Sequence, residues 1–426
     1  MKRAYLVWGV GVGAYVVAVL QRTSFGVSGL EAASRFHADP AVLSGFVVLQ
    51  VALYAGMQIP SGLLLDRFGS RAMIVAGSLI MATGQGLLAT TAALPAAIFG
   101  RVLVGSGDAM VFISVIRLIP AWFPPRRGPL IVQLTGMLGQ LGQILSALPF
   151  LALLHGDGWS AAYTSVTALS VLAAVLALTV IRDVPPGHEP VAVETETHTL
   201  RQLVRQVWSH PGTRLGFFSH MGTQFSTTTF ALMWGVPYLV SAQHLSRSTA
   251  GLLLTVSVLT ALAAGPVLGV LSARYPLRRS VLVLTIILAA AGMWTVVLLR
   301  NSPSPLWLLT LLIIVISVGG PGSMIGFDYA RMFHPGARLG TAQGMVNIGG
   351  FLATLLVIEA MGVVLERHGG YRFDAFRLAW LCQYPIWILA VTGVLITRMK
   401  ARRRLATEGV HVRPLRAALA ARVRRH

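Results

Sequence analysis

Long apolar stretches alternate with short polar ones along almost the whole chain. A helix needs roughly 20 apolar residues to cross a bilayer core that is about 30 Å thick, and twelve stretches meet this length. The pattern predicts an all-α membrane protein with twelve transmembrane helices, at 4–28, 42–64, 72–92, 96–119, 128–153, 161–181, 213–240, 249–271, 280–299, 306–327, 339–364 and 376–397.

One long polar connection lies between the sixth and seventh stretches, at residues 182–212. Its Pro, Gly and Glu content cannot support a hydrophobic core of its own. We therefore predict two pseudo-symmetric six-helix bundles, at 1–181 and 213–397, joined by this linker. A basic tail follows at 398–426.

Composition supports a membrane protein and excludes several other classes. Hydrophobic residues make up 55% of the 426 residues and charged residues 11%, whereas soluble domains carry roughly 25% charged residues. The net charge of +20 could suggest nucleic acid, but most basic residues flank apolar stretches instead of forming one folded polar face. We expect no nucleic-acid partner.

Cysteine and histidine are too scattered for a metal site. The single cysteine, Cys382, lies inside an apolar stretch, which rules out a disulfide framework. His37, His155 and His210 stand alone in predicted loops, without the spacing of metal ligands. We expect no metal and no cofactor.

The distribution of basic residues predicts the orientation. With the N-terminus inside, 25 of the 34 Lys and Arg residues fall in cytoplasmic segments and 6 in external ones. By the positive-inside rule, both termini are cytoplasmic. We expect a multi-pass, monomeric protein of the cell (plasma) membrane, which in a bacterium is the cell inner membrane.

The basic tail has two interpretations. Leu415, Leu419 and Val423 share one face of a predicted helix among many arginines, so the tail could lie on anionic lipid. Alternatively, it is a solvated segment that fixes topology.

A charged segment, SGLLLDRFGSR, interrupts the second and third apolar stretches. Gly62 would allow close helix approach, Gly69 would permit a tight turn, and Asp66 could meet a helix N-terminus or a cation. Residues 269–278 align with 62–71, and 343–351 align with 135–143. Such parallel halves are a mark of one transporter architecture.

The pattern Gly62-x3-Asp66-Arg67-x-Gly69-x-Arg71 resembles the signature loop of the major facilitator superfamily, and the two-half layout matches over about residues 1–400. The resemblance implies secondary active transport by alternating access. It also implies that Asp66, Arg67 and Arg71 form a latch that holds the cytoplasmic side shut. The second copy has Ala273 in place of Asp66, so its latch is expected to be weak or to use Asp328.

The first apolar stretch is similar to that of the superfamily's organophosphate and organic-anion branches, through Tyr15, Arg22 and Phe25. The resemblance implies that Arg22 binds the negative group of the substrate, and Tyr15 is a further candidate substrate contact. A guanidinium suits this role because it is always charged and offers two parallel donors to a carboxylate or phosphate. The alternative is an arginine that snorkels to the outer interface.

Asp108 follows an Arg101-x3-Gly105-x-Gly107 pattern, which also resembles the superfamily, and lies near the middle of its stretch. A carboxylate at mid-bilayer costs about 2.5 to 3.5 kcal/mol on insertion scales and is functional by default. We expect it to carry a proton or contact the substrate. The alternative is a protonated or backbone-bonded aspartate among packed glycines.

Further polar residues inside apolar stretches are candidate substrate contacts. Gln50, Tyr54 and Gln58 recur at four-residue spacing and so share one helix face, either as a cavity wall or as interhelical hydrogen bonds. The seventh stretch offers His220 and Gln224 and no second arginine. This favours a monoanionic substrate over a dianionic one.

The preferred function is proton-linked transport, as a symporter, of a small organic anion. An exporter of cationic or amphipathic compounds, with Asp108 as counter-ion, is the alternative transport function. A transport-dead membrane sensor that signals through its tail is an alternative of another class. We expect no enzyme, because the sequence shows no nucleophile–base set, phosphate loop or metal cluster.

Overall fold

The computed structural model describes residues 2–37, 40–187, 199–334, 336, 338–407 and 409–410. Fourteen helices are found within these ranges. Two are short, α2 (Gly29–Phe36) and α8 (Leu200–Ser209). The long ones are α1 (Lys2–Val27), α3 (40–68), α4 (70–90), α5 (Leu94–Trp122), α6 (Gly128–Gly156), α7 (Gly158–Val180), α9 (211–242), α10 (Arg247–Arg274), α11 (Arg279–Leu298), α12 (Leu306–Phe333), α13 (Leu339–Arg367) and α14 (Phe373–Thr407).

The twelve long helices confirm the predicted twelve-helix fold. Ten stretches of the described chain are long and apolar enough to cross a membrane. One of these, Leu49–Thr90, contains two crossings, because Gly69 adopts φ 80° and ψ 170° between α3 and α4. The remaining crossing is α9, whose apolar character is lowered by polar residues such as His220, Thr223 and Gln224.

Two of the long helices are irregular near prolines. A π-helical turn spans Ser146–Phe150 in α6 and contains Pro149. Two more, Phe230–Trp234 and Tyr238–Ala242, flank Pro237 in α9. Because proline cannot donate a backbone hydrogen bond, these turns are places where the helix ladder is already interrupted and can bend.

The ends of the bundle are defined here by the termini. The "termini side" is the end where α1 begins at Lys2 and α14 ends at Thr407; the opposite end is the "far side". The second bundle has an aromatic core towards the far side, where Trp294 stacks on Trp380 at 4.2 Å between ring centroids and both contact Tyr238.

The linker and tail are described only in part. Thr199 and Gln202 form a capping box that begins α8, whereas residues 188–198 lie outside the described residues. At the C-terminus, α14 continues past the predicted apolar stretch to Thr407. The predicted lipid-facing residues Leu415, Leu419 and Val423 lie outside the described residues.

Candidate functional site

Arg22 and Asp108 form an ion pair with each other. The Nε atom of Arg22 in α1 lies 2.6 Å from Oδ2 of Asp108 in α5, and Nη2 lies 2.8 Å from Oδ1. This bidentate arrangement uses both carboxylate oxygens. The Asp108 side chain is 0% exposed, whereas Arg22 is 27% exposed. Arg22 is therefore the exposed member of the pair.

Aromatic rings surround this pair. The Arg22 guanidinium carbon lies 4.7 Å from the centroid of the Tyr54 ring in α3, an attractive cation–π geometry. Tyr15, on α1, is buried and packs against Phe112 at 4.9 Å between centroids. Its ring also lies directly against Gly139, where any larger residue would collide with it. These contacts restrict the positions open to the guanidinium.

A second guanidinium, that of Arg101, is buried and contacts the backbone of Arg22. It donates hydrogen bonds to the carbonyl oxygens of Gln21 and Arg22, both at 3.2 Å, and to Oε1 of Gln50. Arg101 thus holds the backbone of α1 at Arg22. It was not predicted as a site residue, although a charge inside an apolar stretch was the available signal. Two guanidiniums and one carboxylate leave this region with a net positive charge.

The predicted cavity wall on α3 is largely occupied by interhelical hydrogen bonds. Gln50 accepts from Arg101 and donates to the carbonyl oxygen of Arg22 at 3.3 Å. Asn347 of α13 donates to Tyr54 Oη at 3.2 Å and to Gln58 Oε1 at 2.8 Å. Asn347 was not predicted as a site residue, and these bonds join the two bundles.

The two candidates in α9 differ in availability. His220 is buried, accepts a hydrogen bond at Nδ1 from the backbone N–H of Gly350 at 3.1 Å and lies edge-on to Phe327. Gln224 is half-buried, and its Oε1 atom has no hydrogen-bond partner among the described residues. Gln224 is therefore the candidate in this helix with a free acceptor.

On the termini side, Asp66 joins the two bundles. It lies at the end of α3, and its carboxylate accepts from the backbone N–H groups of Gly340 and Thr341, both at 2.7 Å, and from the Thr341 hydroxyl at 2.6 Å. These donors are in the first turn of α13, where backbone N–H groups lack helical partners and the helix dipole favours an anion. Arg117 lies 3.7 Å away on α5.

The glycines of the predicted latch serve this contact in different ways. A methyl group added at Gly62 would lie 2.6 Å from the carbonyl oxygen of Gly340, so a larger residue would force the bundles apart. Gly69 has a positive φ, as the tight turn requires. An Asp183 oxygen accepts from the backbone N–H of Ser70 at the start of α4. Asp183 was not predicted.

Among the described residues, no hydrogen bond or ion pair joins either latch arginine to the second bundle. Arg71 donates to the carbonyl oxygen of Leu178 at 2.5 Å, at the end of α7 in its own bundle. Arg67 is exposed and lies beside Phe68. Of the three charged latch residues, Asp66 is the one whose hydrogen bonds to described residues cross between the bundles.

Within the described part of the chain, the second copy of the loop has no acid bonded across to the first bundle. Gly269 of α10 packs against Leu130 of α6, and Gln133 of α6 donates to the carbonyl oxygen of Pro321 in α12 at 2.8 Å. Asp328 accepts from Ser272 at 2.5 Å and pairs with Arg279 and Arg331, all in its own bundle. Asp328 thus does not take the place of Asp66 between the bundles.

Comparisons with known proteins agree with this architecture. The profile of the Major Facilitator Superfamily matches residues 11–234 and 215–423. The chain is 21% identical over 387 residues to the probable galactarate/D-glucarate transporter GudP of Escherichia coli K12, covering 82% of this chain and 84% of that protein. It is 22% identical over 397 residues to the probable sulfoacetate transporter SauU of Cupriavidus necator, covering 87% and 89%.

Other similarities follow the same pattern. The probable nitrate/nitrite transporter NarK2 of Mycobacterium tuberculosis is 25% identical over 315 residues, covering 72% of this chain and 76% of that protein. The crystal structure of the transporter FucP in the outward conformation superposes with a TM-score of 0.63 at 16% identity, over 92% of this chain and 99% of FucP. Together with the two matched halves, these findings show that the chain belongs to the Major Facilitator Superfamily.

Proposed function

We propose that this protein moves a small organic anion across the membrane by alternating access and that Arg22 contacts the anion. The observation that carries this proposal is the partial exposure of the Arg22 side chain while its partner carboxylate is wholly buried. The solutes named for the relatives, galactarate, D-glucarate, sulfoacetate and nitrate, are all anions. A carboxylate of the substrate would accept the two N–H donors that Asp108 now occupies.

Exchange of carboxylates on Arg22 provides a route to proton coupling. While Asp108 is ionised, it competes with the substrate for the same donors. When Asp108 takes up a proton, it loses its negative charge and releases the guanidinium, and the substrate anion replaces that charge. The net charge of the buried region is then the same before and after binding, which avoids leaving an uncompensated charge in a low-dielectric site. Anion and proton would move together, as in a symporter.

The direct contact accommodates one carboxylate group. Arg101 adds positive potential, but its recorded donors already bind Gln21, Arg22 and Gln50, so Arg101 favours an anion without offering these hydrogen bonds to it. Gln224, with its free acceptor, could receive a hydroxyl or amide donor of the substrate. We propose an organic acid that presents one carboxylate to Arg22.

The orientation and state follow from charge and closure. By the positive-inside rule, the termini side faces the cytoplasm of the cell that carries the protein in its plasma membrane. Asp66 and Gly62 join the bundles on that side, which supports our proposal that this state is closed to the cytoplasm. We propose that the bundles, 1–181 and 213–397, move as two bodies about the linker at 182–212.

The alternative exporter of cations is disfavoured by the same geometry. Both oxygens of Asp108 are bound by Arg22, and the side chain has no exposed surface. A cationic solute would therefore meet a guanidinium before it met a carboxylate, and like charges repel strongly in a low-dielectric cavity.

Uptake into proteoliposomes tests the proposal. We expect the wild type to accumulate at least one of D-glucarate, sulfoacetate or nitrate inside the proteoliposomes when the pH is lower outside than inside. Asp108→Asn should lose accumulation yet retain exchange of anion across the membrane, because Asn cannot carry the proton. Glu359→Gln removes an exposed carboxylate from α13 and serves as the matched control with unchanged accumulation.

Two results would contradict the proposal separately. Failure of the wild type to bind or move any anion of a broad panel would remove the anion-transport function. Accumulation by Asp108→Asn with an unchanged response to the pH gradient would remove Asp108 as the proton carrier and leave anion transport intact.

A further inference from the structure

A group of arginines lies on the termini side of the second bundle, away from the site around Arg22. It is called here the arginine cluster and comprises Arg278, Arg279, Arg331, Arg398 and Arg402. These residues come from the turn between α10 and α11, the end of α12 and the last turns of α14.

The inner part of the cluster has its own acid. Asp328 is 3% exposed, pairs with Arg331 and lies 3.5 Å from Arg279. Arg279 also donates to the Ser272 hydroxyl at 2.8 Å. The Asp328 carboxylate therefore already has two guanidinium partners and a hydroxyl donor. It cannot neutralise further arginines by direct contact.

The outer part has no acid of its own. Arg278, Arg398 and Arg402 are half-buried, and none forms an ion pair with an acidic side chain among the residues that the structure describes. Arg398 and Arg278 both lie within electrostatic range of Arg402, and Arg398 and Arg279 within range of Tyr329. Two of the five guanidiniums thus share one carboxylate, and the other three have no acidic partner among the described residues. Like charges in a partly desolvated position repel unless an anion joins them.

The surroundings of the outer arginines indicate the kind of anion. On the same helix, Leu395, Ile396 and Met399 are 43%, 43% and 55% exposed, as expected of side chains that face lipid. Arg398 and Arg402 are one helical turn apart and follow directly on this apolar surface. A ligand at this position would contact both arginines and exposed apolar side chains. A soluble anion has no hydrocarbon part to contact the apolar side chains.

We propose that the arginine cluster binds the headgroup phosphate of an anionic phospholipid. Guanidiniums bind phosphate oxygens through paired, charge-assisted hydrogen bonds, and the acyl chains of the lipid would lie along the exposed apolar residues of α14. The site is formed by folded residues before Thr407, so it is distinct from lipid contact by the tail. It lies on the side proposed to be cytoplasmic, where anionic lipids attract basic residues.

Thermal unfolding of the purified full-length protein tests this site. Phosphatidylglycerol added in mixed micelles should raise the Tm of the wild type, since a ligand that binds the native state stabilises it, and phosphatidylcholine should raise it less. In Arg398→Gln/Arg402→Gln, the lipid concentration that gives half of the shift should rise about tenfold or more. Arg278→Gln, on a different element, should shift it in the same direction.

A matched variant distinguishes lipid binding at the arginine cluster from a general effect of basic charge. Lys400→Gln/Arg403→Gln removes the same charge from exposed positions of the same helix and should leave the lipid response within about threefold of wild type. Equal weakening in both double variants would overturn the site. A Tm shift with glycerol 3-phosphate equal to that with phosphatidylglycerol would instead show a soluble-phosphate site. The Tm of each variant without added lipid, compared with that of the wild type, reports whether the variant is folded.

Discussion

Asp108 and Asp66 are both buried carboxylates of the first bundle, but their partners differ. Asp108 is held by one movable side chain, Arg22, within its own bundle. Asp66 is held by the Thr341 hydroxyl and two backbone N–H groups, all at the start of α13 in the other bundle. The first set of donors can be offered to a solute, whereas the second set is present only while the bundles touch.

The comparison separates two tasks of a transporter. Under the proposed function, a carboxylate whose partner can be exchanged would couple proton uptake to substrate binding. A carboxylate bound to the opposite bundle sets the free-energy difference between the closed and open states of the termini side. Changes at Asp108 should therefore alter affinity and coupling, while changes at Asp66 should alter the rate of the cycle.

The largest effect is expected for Asp66→Asn. Asn has one acceptor and directs an NH2 group at backbone donors, so the charge-assisted bonds to α13 are lost. Since such bonds contribute roughly 1.5 to 3 kcal/mol each, the initial uptake rate should fall about a hundredfold or more. Anion affinity, measured by thermal stabilisation, should stay within about threefold. Uptake at the wild-type rate would show that Asp66 does not control closure.

Gly62→Ala should have the next largest effect. Its methyl group would lie 2.6 Å from the Gly340 carbonyl oxygen and 2.9 Å from the Thr341 Cα atom, so the bundles could not close around Asp66. Overpacking of this kind costs about 1 to 3 kcal/mol, and uptake should fall by roughly fivefold to a hundredfold. Accessibility of a cysteine placed on the termini side of the cavity should rise in parallel.

The matched variant for Gly62→Ala is Gly269→Ala in the second copy. Its methyl group would lie 3.0 Å from the Leu130 Cα atom, and no crossing acid depends on that approach. We expect a smaller loss of uptake than for Gly62→Ala. The reverse order would mean that the contact between α6 and α10, not the one between α3 and α13, controls closure.

Thr341→Val should have an intermediate effect. It removes the hydroxyl that lies 2.6 Å from Asp66 but keeps both backbone donors and nearly the same shape. Loss of one hydrogen bond at about 0.5 to 1.5 kcal/mol predicts a two- to tenfold decrease in uptake rate. Thr354→Val, in the same helix but bonded to a backbone oxygen of its own helix, serves as the control and should change uptake less.

Ala273→Asp should have the smallest effect. It restores an acid at the position that matches Asp66, but Asp328 already provides a carboxylate to the nearby arginines in that bundle. We expect uptake within about twofold of wild type. A large gain or loss of rate would show that the second copy also has a gating role.

The fold was largely predictable, because span length and polar interruptions follow directly from the thickness of a bilayer. Gly69 was read correctly as a turn residue, since a positive φ suits glycine. The continuation of α14 to Thr407 was not predicted. A helix that leaves the membrane loses its apolar signal without losing its hydrogen bonds.

The site was predictable as separate residues but not as pairs. Arg22 and Asp108 were both marked by charge inside apolar stretches, yet they lie 86 positions apart, and no local pattern reports how α1 packs on α5. Asp183 and Asn347 gave still weaker signals, because an acid after a helix and an amide within one are common in solvated or structural roles. Which of these residues pair with each other is decided by tertiary packing.

The central claim is that substrate and Asp108 compete for Arg22, and the pH dependence of anion affinity tests it most directly. Wild-type affinity should strengthen as the pH falls, because protonation of Asp108 frees the guanidinium. Asp108→Asn should bind at least as tightly at every pH and show no such dependence. Arg22→Lys, which keeps the charge but loses the two parallel donors, should bind about tenfold or more weakly. Unchanged affinity in Arg22→Lys, or the same pH dependence in Asp108→Asn as in the wild type, would contradict the claim.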